Sequence, residues 1–320
     1  MRQLAVLAAF LVWIPLVIAQ ETERPPIIDM HLHASEVNGP VDGGCVPLDS
    51  FPSWDAKLSP TYSFGSFNCA NHLMAPGTSE ELMTATLAAI NKFNITAVTS
   101  GPPDTVDRWK KAGGPRILPA TDFDAKGPAP EELRIWIKSG RIVALAEIGN
   151  QYDGIPVNSP SLEPYFALAE ELDVPIGIHM GPGPPGAPYL GTKEYRARLS
   201  SLLLLEDVLV RHPKLRVWAM HAGWPLADDA IATLYAHPQL YVDIGVIDFF
   251  LPRTEFYNYL KRLIEAGFEN RIMFGSDQMI FPGAISAAIK SVESAPFLTE
   301  QQKRDILYNN AARFLRLGHP

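Results

Sequence analysis

The chain is long enough for one large domain, and its charge does not suit a nucleic-acid-binding protein. It has 320 residues, with 27 Lys and Arg against 35 Asp and Glu, a formal net charge of −8 and 47% hydrophobic residues. A protein that neutralises phosphates needs a basic face, and the sequence contains no basic cluster. We therefore expect a globular protein that does not bind nucleic acid.

The N-terminus has the pattern of a cleaved secretory signal. A short positive region precedes an apolar run, Leu4–Ile18, and Ala19 is the small residue before the cleavage point. The run is shorter than the ~20 residues of a membrane helix, although an uncleaved anchor is the alternative. We predict that residues 1–19 are a signal peptide. Residues 20–320 are then a single domain, exported to the periplasm or secreted, with no stable membrane span after cleavage.

Eight short apolar runs follow in chain order and alternate with segments of helical period. Several runs are apolar on both faces, as expected of parallel strands that are covered on both sides. The predicted strands are Ile27–Ala34, Ile95–Gly101, Arg116–Phe123, Ile142–Gly149, Pro175–Gly181, Arg216–Gly223, Leu240–Val246 and Ile272–Asp277. The predicted helices are Glu80–Phe93, Pro130–Ser139, Leu162–Leu172, Tyr195–His212, Leu226–His237, Thr254–Ala266, Gly283–Val292 and Thr299–Leu317.

This alternation predicts an α/β fold, the (β/α)8 barrel. A doubly wound sheet has the same alternation, but no G-x-G-x-x-G sequence follows any strand. Long loops follow the first and fifth strands, Ser35–Ser79 and Pro182–Thr192, and loops at that end of a barrel form its catalytic face. The first loop contains Cys45 and Cys69. They can pair after export or remain separate thiols, and the sequence leaves both open.

Potential metal ligands stand at the ends of five predicted strands. His31 and His33 alternate at the end of the first strand, so both imidazoles point to one side. The fourth, fifth, sixth and eighth strands end in Glu147, His179, His221 and Asp277. Their intervals match strand steps of roughly 30 residues once the first loop is allowed for. Each residue alone is a weak signal, but four converging imidazoles are costly to bury without a metal. The set therefore predicts a metal site.

With these residues the chain resembles the amidohydrolase superfamily, in particular its amidohydrolase-related branch. The segments that carry the resemblance are Ile28–His33, Ala146–Gly149, Gly177–His179, His221–Gly223, Phe274–Asp277 and Asn309–Phe314. The similarity runs from about Ile27 to Leu317. As an ordered set these segments are highly specific for the superfamily and poorly specific for the substrate.

Many binuclear members of the superfamily carry a carboxylated lysine on the fourth strand, where this chain has Glu147. The resemblance implies a glutamate that bridges two metals, as in the deoxyribonuclease-like and lactonase-like branches. In the alternative with one metal, Glu147 and His221 have supporting roles and the ligands are His31, His33, His179 and Asp277. Imidazole and carboxylate ligands without thiolate suit Zn²⁺ best, and Mn²⁺, Ni²⁺ and Fe²⁺ remain open.

The predicted activity is hydrolysis of an ester, lactone or amide bond of a small organic substrate by metal-activated water. Asp277 takes the proton of the water and passes it to the leaving group. His221 holds a second metal, or polarises the carbonyl if one metal binds. Two alternatives remain: non-oxidative decarboxylation, which related single-metal members perform, and a non-catalytic protein that retains the site. The complete ligand set argues against the second alternative.

Further residues are expected to contact the substrate. Tyr152, Trp224 and the Pro182–Tyr189 loop shape the pocket, and His72 in the first long loop can touch the substrate. Arg253 can pair with a substrate carboxylate, the alternative being a solvated or salt-bridged Arg. Asp243 and Asp248 are ambiguous. Three other histidines are interpreted as surface residues without a role: His212, His237 and His319. A homo-oligomer is compatible with the sequence.

Overall fold

Eight parallel strands form a nearly closed barrel, as predicted. The computed structural model describes residues 24–51, 53–58, 69, 72–124 and 126–317, so the predicted signal peptide and His319 lie outside the described residues. The barrel strands are β1 Ile27–His33, β4 Ile95–Ser100, β5 Ile117–Phe123, β6 Ala144–Ile148, β7 Ile176–His179, β8 Val217–Met220, β9 Tyr241–Asp243 and β10 Ile272–Met273. The two remaining strands, β2 Asp42–Cys45 and β3 His72–Met74, form a separate antiparallel hairpin in the loop after β1. The Met30 N–H donates to the Phe274 carbonyl oxygen at 2.9 Å, which brings the last strand beside the first.

Helices connect the strands and cover the outside of the barrel. They are α1 Ser79–Lys92, α2 Pro103–Gly113, α3 Pro130–Lys138, α4 Glu163–Glu171, α5 Glu206–Arg211, α6 Ala227–Ala236, α7 Ile247–Phe250, α8 Arg253–Glu265, α9 Gly283–Glu293, α10 Glu300–Arg304 and α11 Asn310–Leu315. A capping box between Thr78 and Glu81 starts α1. Among the described residues, no helix combines the length and the hydropathy needed to span a membrane.

The helix α2 was not predicted, although it fills the place that the barrel requires between β4 and β5. Its buried residues are Thr105, Val106 and Trp109, so two apolar side chains carry its buried face. That stripe is too narrow to give a clear helical period in the sequence. The fold, rather than the local pattern, determines this helix.

The predicted helix Tyr195–His212 is wrong over most of its length. The segment begins with two 3-10 turns, and α5 covers only its end. The hydroxyl of Ser200 donates to the Gly181 carbonyl oxygen at 2.9 Å, and the hydroxyl of Ser201 donates to Asp229 at 2.5 Å. Serine side chains that bond elsewhere compete with helix formation, and here they hold the segment against its neighbours.

The two long loops meet above the carboxyl ends of the strands. The first contains the β2–β3 hairpin and a disulfide between Cys45 and Cys69, which decides between the two alternatives left open by the sequence. Trp54 of this loop lies against Gly186 of the second loop and makes an edge contact with Tyr189. The loops therefore form one cover over that end of the barrel.

Candidate active site

The structure brings the six predicted metal ligands together at the carboxyl ends of the strands. They come from β1, β6 and β7 and from the residues just after β8 and β10, and all are buried or half-buried: His31, His33, Glu147, His179, His221 and Asp277. The backbone of the last two is unusual, with φ of 61° at His221 and 40° at Asp277. Non-glycine residues rarely adopt this region, and such strain clusters at functional sites.

Glu147 lies between two pairs of imidazoles. Its Oε2 atom is 3.4 Å from Nε2 of His31 and 3.5 Å from Nε2 of His33. Its Oε1 atom is 3.8 Å from Nε2 of His179 and 3.7 Å from Nε2 of His221. Each carboxylate oxygen thus faces its own pair, and the structure contains two candidate groups of three ligands that share Glu147.

These separations fit ligands of a shared ion better than hydrogen bonds. A side-chain hydrogen bond has a length of about 2.7–3.2 Å, whereas two donors about 2.0 Å from one tetrahedral Zn²⁺ lie about 3.3 Å apart. The side chain of His31 is fully buried, and neither ring nitrogen has a hydrogen-bond partner among the described residues. A buried polar atom without a partner is costly, so the residues present fit a divalent cation.

Asp277, which follows β10, lies against the two histidines of β1. Its Oδ1 atom is 3.1 Å from Nε2 of His33 and 3.7 Å from Nε2 of His31. Burial alone would raise the pKa of this carboxyl, but the charges and hydrogen bond of His31 and His33 outweigh burial and lower the pKa to about 2. Asp277 is therefore ionised over the whole physiological range.

The rings of His179 and His221 are oriented by partners on Nδ1. Nδ1 of His179 donates to the amide oxygen of Gln151 at 2.9 Å, and the amide nitrogen of Gln151 donates to Ser200 at 3.0 Å. Nδ1 of His221 donates to the Gly245 carbonyl oxygen at 2.9 Å. These bonds leave the lone pair of each Nε2 atom directed at Glu147, which is how metal-binding histidines are usually held.

The buried carboxylate of Asp243 holds the other side of the centre. Its Oδ2 atom lies 3.3 Å from Nδ1 of His31 and accepts a hydrogen bond from the indole of Trp218 at 3.1 Å. Its Oδ1 atom accepts from the backbone N–H groups of His221 and Gly245 at 3.1 and 2.9 Å. Asp243 therefore fixes one candidate ligand by its ring and another by its backbone.

Burial and neighbouring charges set opposite protonation tendencies within the centre. Burial lowers the pKa of His179 to about 3, so this ring is neutral and can donate its lone pair. Burial would raise the pKa of Glu147, but the electrostatic interactions and hydrogen bonds of the surrounding imidazoles outweigh burial and hold the pKa well below its usual range. An ionised carboxylate beside a neutral imidazole is the state in which both bind metal.

The centre opens into a cavity of about 500 Å³, and two of the residues predicted to shape the pocket line it, together with the second long loop. The Tyr152 hydroxyl oxygen lies 3.0 Å from Nε2 of His179, next to the candidate ligands. Trp224 lies further out, 6.4 Å in ring-centre distance from Phe51 of the first long loop. The loop contributes the segment from Pro182 to Pro185.

The structure places the other two predicted substrate contacts outside the cavity lining. His72 lies in the hairpin with its Nε2 atom 2.6 Å from Asp42. Arg253 donates to the carbonyl oxygen of Asp248 at 2.7 Å, and its guanidinium lies over the rings of Phe256 and Tyr257. The alternative in which Arg253 has a structural role therefore describes its position better.

Sequence reasoning missed two of the residues that orient the centre. Asp243 was noted at the end of its strand, a position that also marks the predicted ligands, but nothing in the sequence indicated its contact with His31. Gln151 gave no signal because its amide reaches from the segment after β6 to His179 at the end of the neighbouring strand β7. His212, interpreted as a surface residue, is buried between Glu163 and Glu170 with bonds of 2.9 and 3.0 Å.

The comparisons with known proteins agree with this architecture. The family model described as Amidohydrolase matches residues 28–317. No curated protein is significantly similar to the chain. An uncharacterized TIM-barrel protein from Bordetella bronchiseptica is 18% identical, with a TM-score of 0.56 and coverage of 91% of this chain and 99% of that one.

Two further solved structures carry functional names. A probable 2-pyrone-4,6-dicarboxylic acid hydrolase from Acinetobacter baumannii is 15% identical, with a TM-score of 0.57 and coverage of 92% and 100%. A 5-carboxyvanillate decarboxylase from Novosphingobium aromaticivorans with bound manganese is 14% identical, with a TM-score of 0.54 and coverage of 72% and 80%. At these identities the likeness shows the shared barrel fold. With the family model matching nearly the whole chain, the protein belongs to the amidohydrolase family, a metal-dependent enzyme superfamily.

Proposed function

We propose that the protein is a metal-dependent hydrolase that cleaves an ester, lactone or amide bond of a small organic substrate. The observation that carries this proposal is the position of Glu147 between two imidazole pairs, at the end of a cavity. Two donor groups that share a carboxylate suit two divalent cations, with Zn²⁺ the best match for these ligands. Such cations lower the pKa of bound water to about 7 and polarise a scissile carbonyl.

The residues around the centre have separate roles in this proposal. Asp277, ionised and directed at the same point as His31 and His33, accepts the proton of the attacking water and returns it to the leaving group. The Tyr152 hydroxyl, within reach of the centre, donates to the oxygen on which negative charge develops. His221 belongs to the second donor group with His179 and Glu147.

Hydrolysis is preferred to decarboxylation because of the number of donor groups. The resemblance links non-oxidative decarboxylation to single-metal members, whereas Glu147 here faces one imidazole pair with each oxygen. The neighbouring structures include both activities by name, so fold similarity does not separate them. The arrangement of donors within this chain is what favours hydrolysis.

A turnover screen in ¹⁸O-labelled water tests the proposal. The metal-loaded protein is incubated with lactones, aryl esters, N-acyl compounds and aromatic acids, and products are analysed by mass spectrometry. We expect ¹⁸O in the product of a lactone, ester or amide, activity that is lost on chelation, and one or two divalent ions per chain. Release of CO₂ from an aromatic acid without ¹⁸O incorporation would establish the decarboxylase instead. Full activity of metal-free protein would contradict both.

We also propose that the protein acts outside the cytoplasm. The proposal rests on the signal-like N-terminus and on the Cys45–Cys69 disulfide, since structural disulfides persist in oxidising compartments. Mass analysis of the protein recovered from its native host should give a chain that begins near Gln20. A chain that retains residues 1–19 would show that the segment is not cleaved.

A further inference from the structure

The cavity has one polar end and one apolar wall. Five of the six candidate ligands, all except His31, form the polar end with Tyr152. The rest of the lining, called the wall here, is mainly aromatic and aliphatic, with Phe51, Trp224, Phe250, Leu251, Met279 and Phe281 as its larger side chains. Apart from the residues of the polar end, no charged side chain among the described residues lines the cavity.

Among the described residues, no lysine or arginine lines this wall. Arg253, the arginine expected to bind a carboxylate, is held by Asp248 and the rings of Phe256 and Tyr257, outside the lining. In the sequence of residues 35–79, which form the first long loop, the only Lys or Arg is Lys57, and its side chain is exposed.

Two of the N–H groups of residues that line the cavity are already bonded. The indole N–H of Trp224 donates to Glu255 at 3.0 Å, and the backbone N–H of Gly183 donates to the hydroxyl of Tyr195 at 2.9 Å. A carboxylate, sulfonate or phosphate placed against this wall would lose water, and no cationic side chain among the described lining residues of the wall would replace that hydration. Burying a charge without such compensation is strongly unfavourable.

We propose that the substrate places an uncharged, apolar ring against this wall and its scissile group at the polar end, and that it carries no second anionic group. This inference rests on the proposed function for the identity of the reacting bond. The cavity volume of about 500 Å³ is within the range of small-molecule sites. In this proposal the specificity comes from exclusion of charge, since no charged side chain among the described residues lines the wall.

Three benzohydroxamic acids test the inference by equilibrium binding. The hydroxamate anchors each ligand at the metal-loaded centre, so the para substituent probes the wall without any turnover. The unsubstituted and 4-carbamoyl compounds are neutral at the ring, and the 4-carboxy compound is nearly isosteric with the 4-carbamoyl one but charged. By calorimetry we expect the 4-carboxy compound to bind roughly tenfold or more weakly than the 4-carbamoyl one. Equal affinities would overturn the inference.

The variant Met279→Arg sharpens this test, with Met279→Gln as the matched neutral control. Met279 lines the cavity and is 36% exposed, so a guanidinium is tolerated there and can reach a carboxylate on the ring. We expect Met279→Arg to bring the two affinities within about threefold, because a charge-assisted pair compensates the lost hydration. Met279→Gln should keep the wild-type ratio. A preference that is unchanged in Met279→Arg would contradict the inference.

Turnover of phenyl acetate and 4-acetoxybenzoate separates this inference from the proposed function. Hydroxamates that bind in the expected order, with no lactone, ester or amide hydrolysed, would leave the inference standing and contradict the hydrolase. Hydrolysis of 4-acetoxybenzoate with a kcat/KM equal to or above that of phenyl acetate would contradict the inference alone. Absence of binding by all three hydroxamates would contradict both.

Discussion

Two clusters among the described residues bring a histidine against more than one carboxylate, and they differ in how the ring nitrogens are satisfied. In the barrel mouth, Nε2 of His31 faces Glu147 and Asp277 at 3.4 and 3.7 Å and has no hydrogen-bond partner among the described residues. On the outside, His212 makes bonds of 3.0 and 2.9 Å to Glu170 and Glu163. In the outer cluster both ring nitrogens have hydrogen-bond partners in the protein. In the inner cluster the distances between the candidate ligand atoms suit a shared cation.

Residue types alone therefore do not distinguish a metal centre from a structural cluster. The histidines of both clusters are buried or half-buried and each lies against carboxylates, although Glu163 and Glu170 of the outer cluster are partly exposed. What separates them is whether each polar atom already has a partner at hydrogen-bond distance. If this distinction is sound, substitutions in the inner cluster should change metal content and rate, and substitutions in the outer one should change only stability.

The largest expected effect is that of replacing Asp277, the proposed proton acceptor of the inner cluster. Asp277→Asn is nearly isosteric, so we expect a folded protein whose kcat is lower by roughly 10²–10⁴ because the amide cannot accept the proton. Metal content is measured by elemental analysis on the same sample, since loss of an ion would also lower the rate. A fully occupied Asn variant with near-normal kcat would exclude Asp277 as the general base.

The next largest effect is expected on the number of metal ions bound per chain. Truncating the shared ligand in Glu147→Ala should reduce metal content from about two ions per chain towards one, with a large loss of rate. The matched control is Glu163→Ala in the outer cluster, which should leave both quantities unchanged. If wild type saturates at one ion with full activity, the centre is mononuclear. Glu147→Ala should then cost only 10–100-fold in affinity or activity, as expected for a residue that orients a ligand.

Stability is the expected readout of the outer cluster. His212→Ala removes two hydrogen bonds to carboxylates, and we expect it to lower the free energy of unfolding by about 1–3 kcal/mol. Denaturant unfolding measures this change, while metal content and kcat should equal those of the wild type. A loss of metal in His212→Ala would contradict this distinction between the two clusters, because it would show that the outer cluster contributes to the metal centre.

The smallest effect concerns Asp248, a buried acid that belongs to neither cluster. Its carboxylate has no hydrogen-bond partner among the described residues, and burial raises its pKa well above the ordinary value of 3.8. The folded state therefore holds a proton that the unfolded chain releases, and stability falls as pH rises above 3.8. Asp248→Asn should gain stability relative to wild type, by about 1 kcal/mol or more at neutral pH. Melting temperatures at pH 4 and pH 8 check this, since the difference should grow with pH.

The strands and the six candidate ligands could be predicted because both depend on local pattern and chain order. Each ligand stands at the end of an apolar run, and parallel strands bring those ends to one face. The contacts that orient the ligands could not be predicted. Asp243 reaches His31, and Gln151 reaches His179, across strands whose relative rotation the sequence does not give.

The position of Arg253 illustrates the same limit on a loop. It was placed after the seventh barrel strand, where a side chain can enter the pocket. The short helix α7, Ile247–Phe250, lies between that strand and Arg253. Arg253 is therefore the first residue of α8, and its side chain donates to the carbonyl oxygen of Asp248 instead of entering the pocket. A single helical turn has too few residues to show a helical period, so the sequence could not predict α7 or the resulting position of Arg253.

Gly43 of the hairpin offers a way to tune substrate size from outside the cavity. A Cβ atom at this position would lie 2.6 Å from the ring of Phe281, which lines the apolar wall. A larger residue there would have to displace that ring, which would change the shape of the cavity while the candidate ligands stay the same. A single substitution at Gly43, which does not itself line the cavity, would therefore change the size of the ring that the cavity accepts.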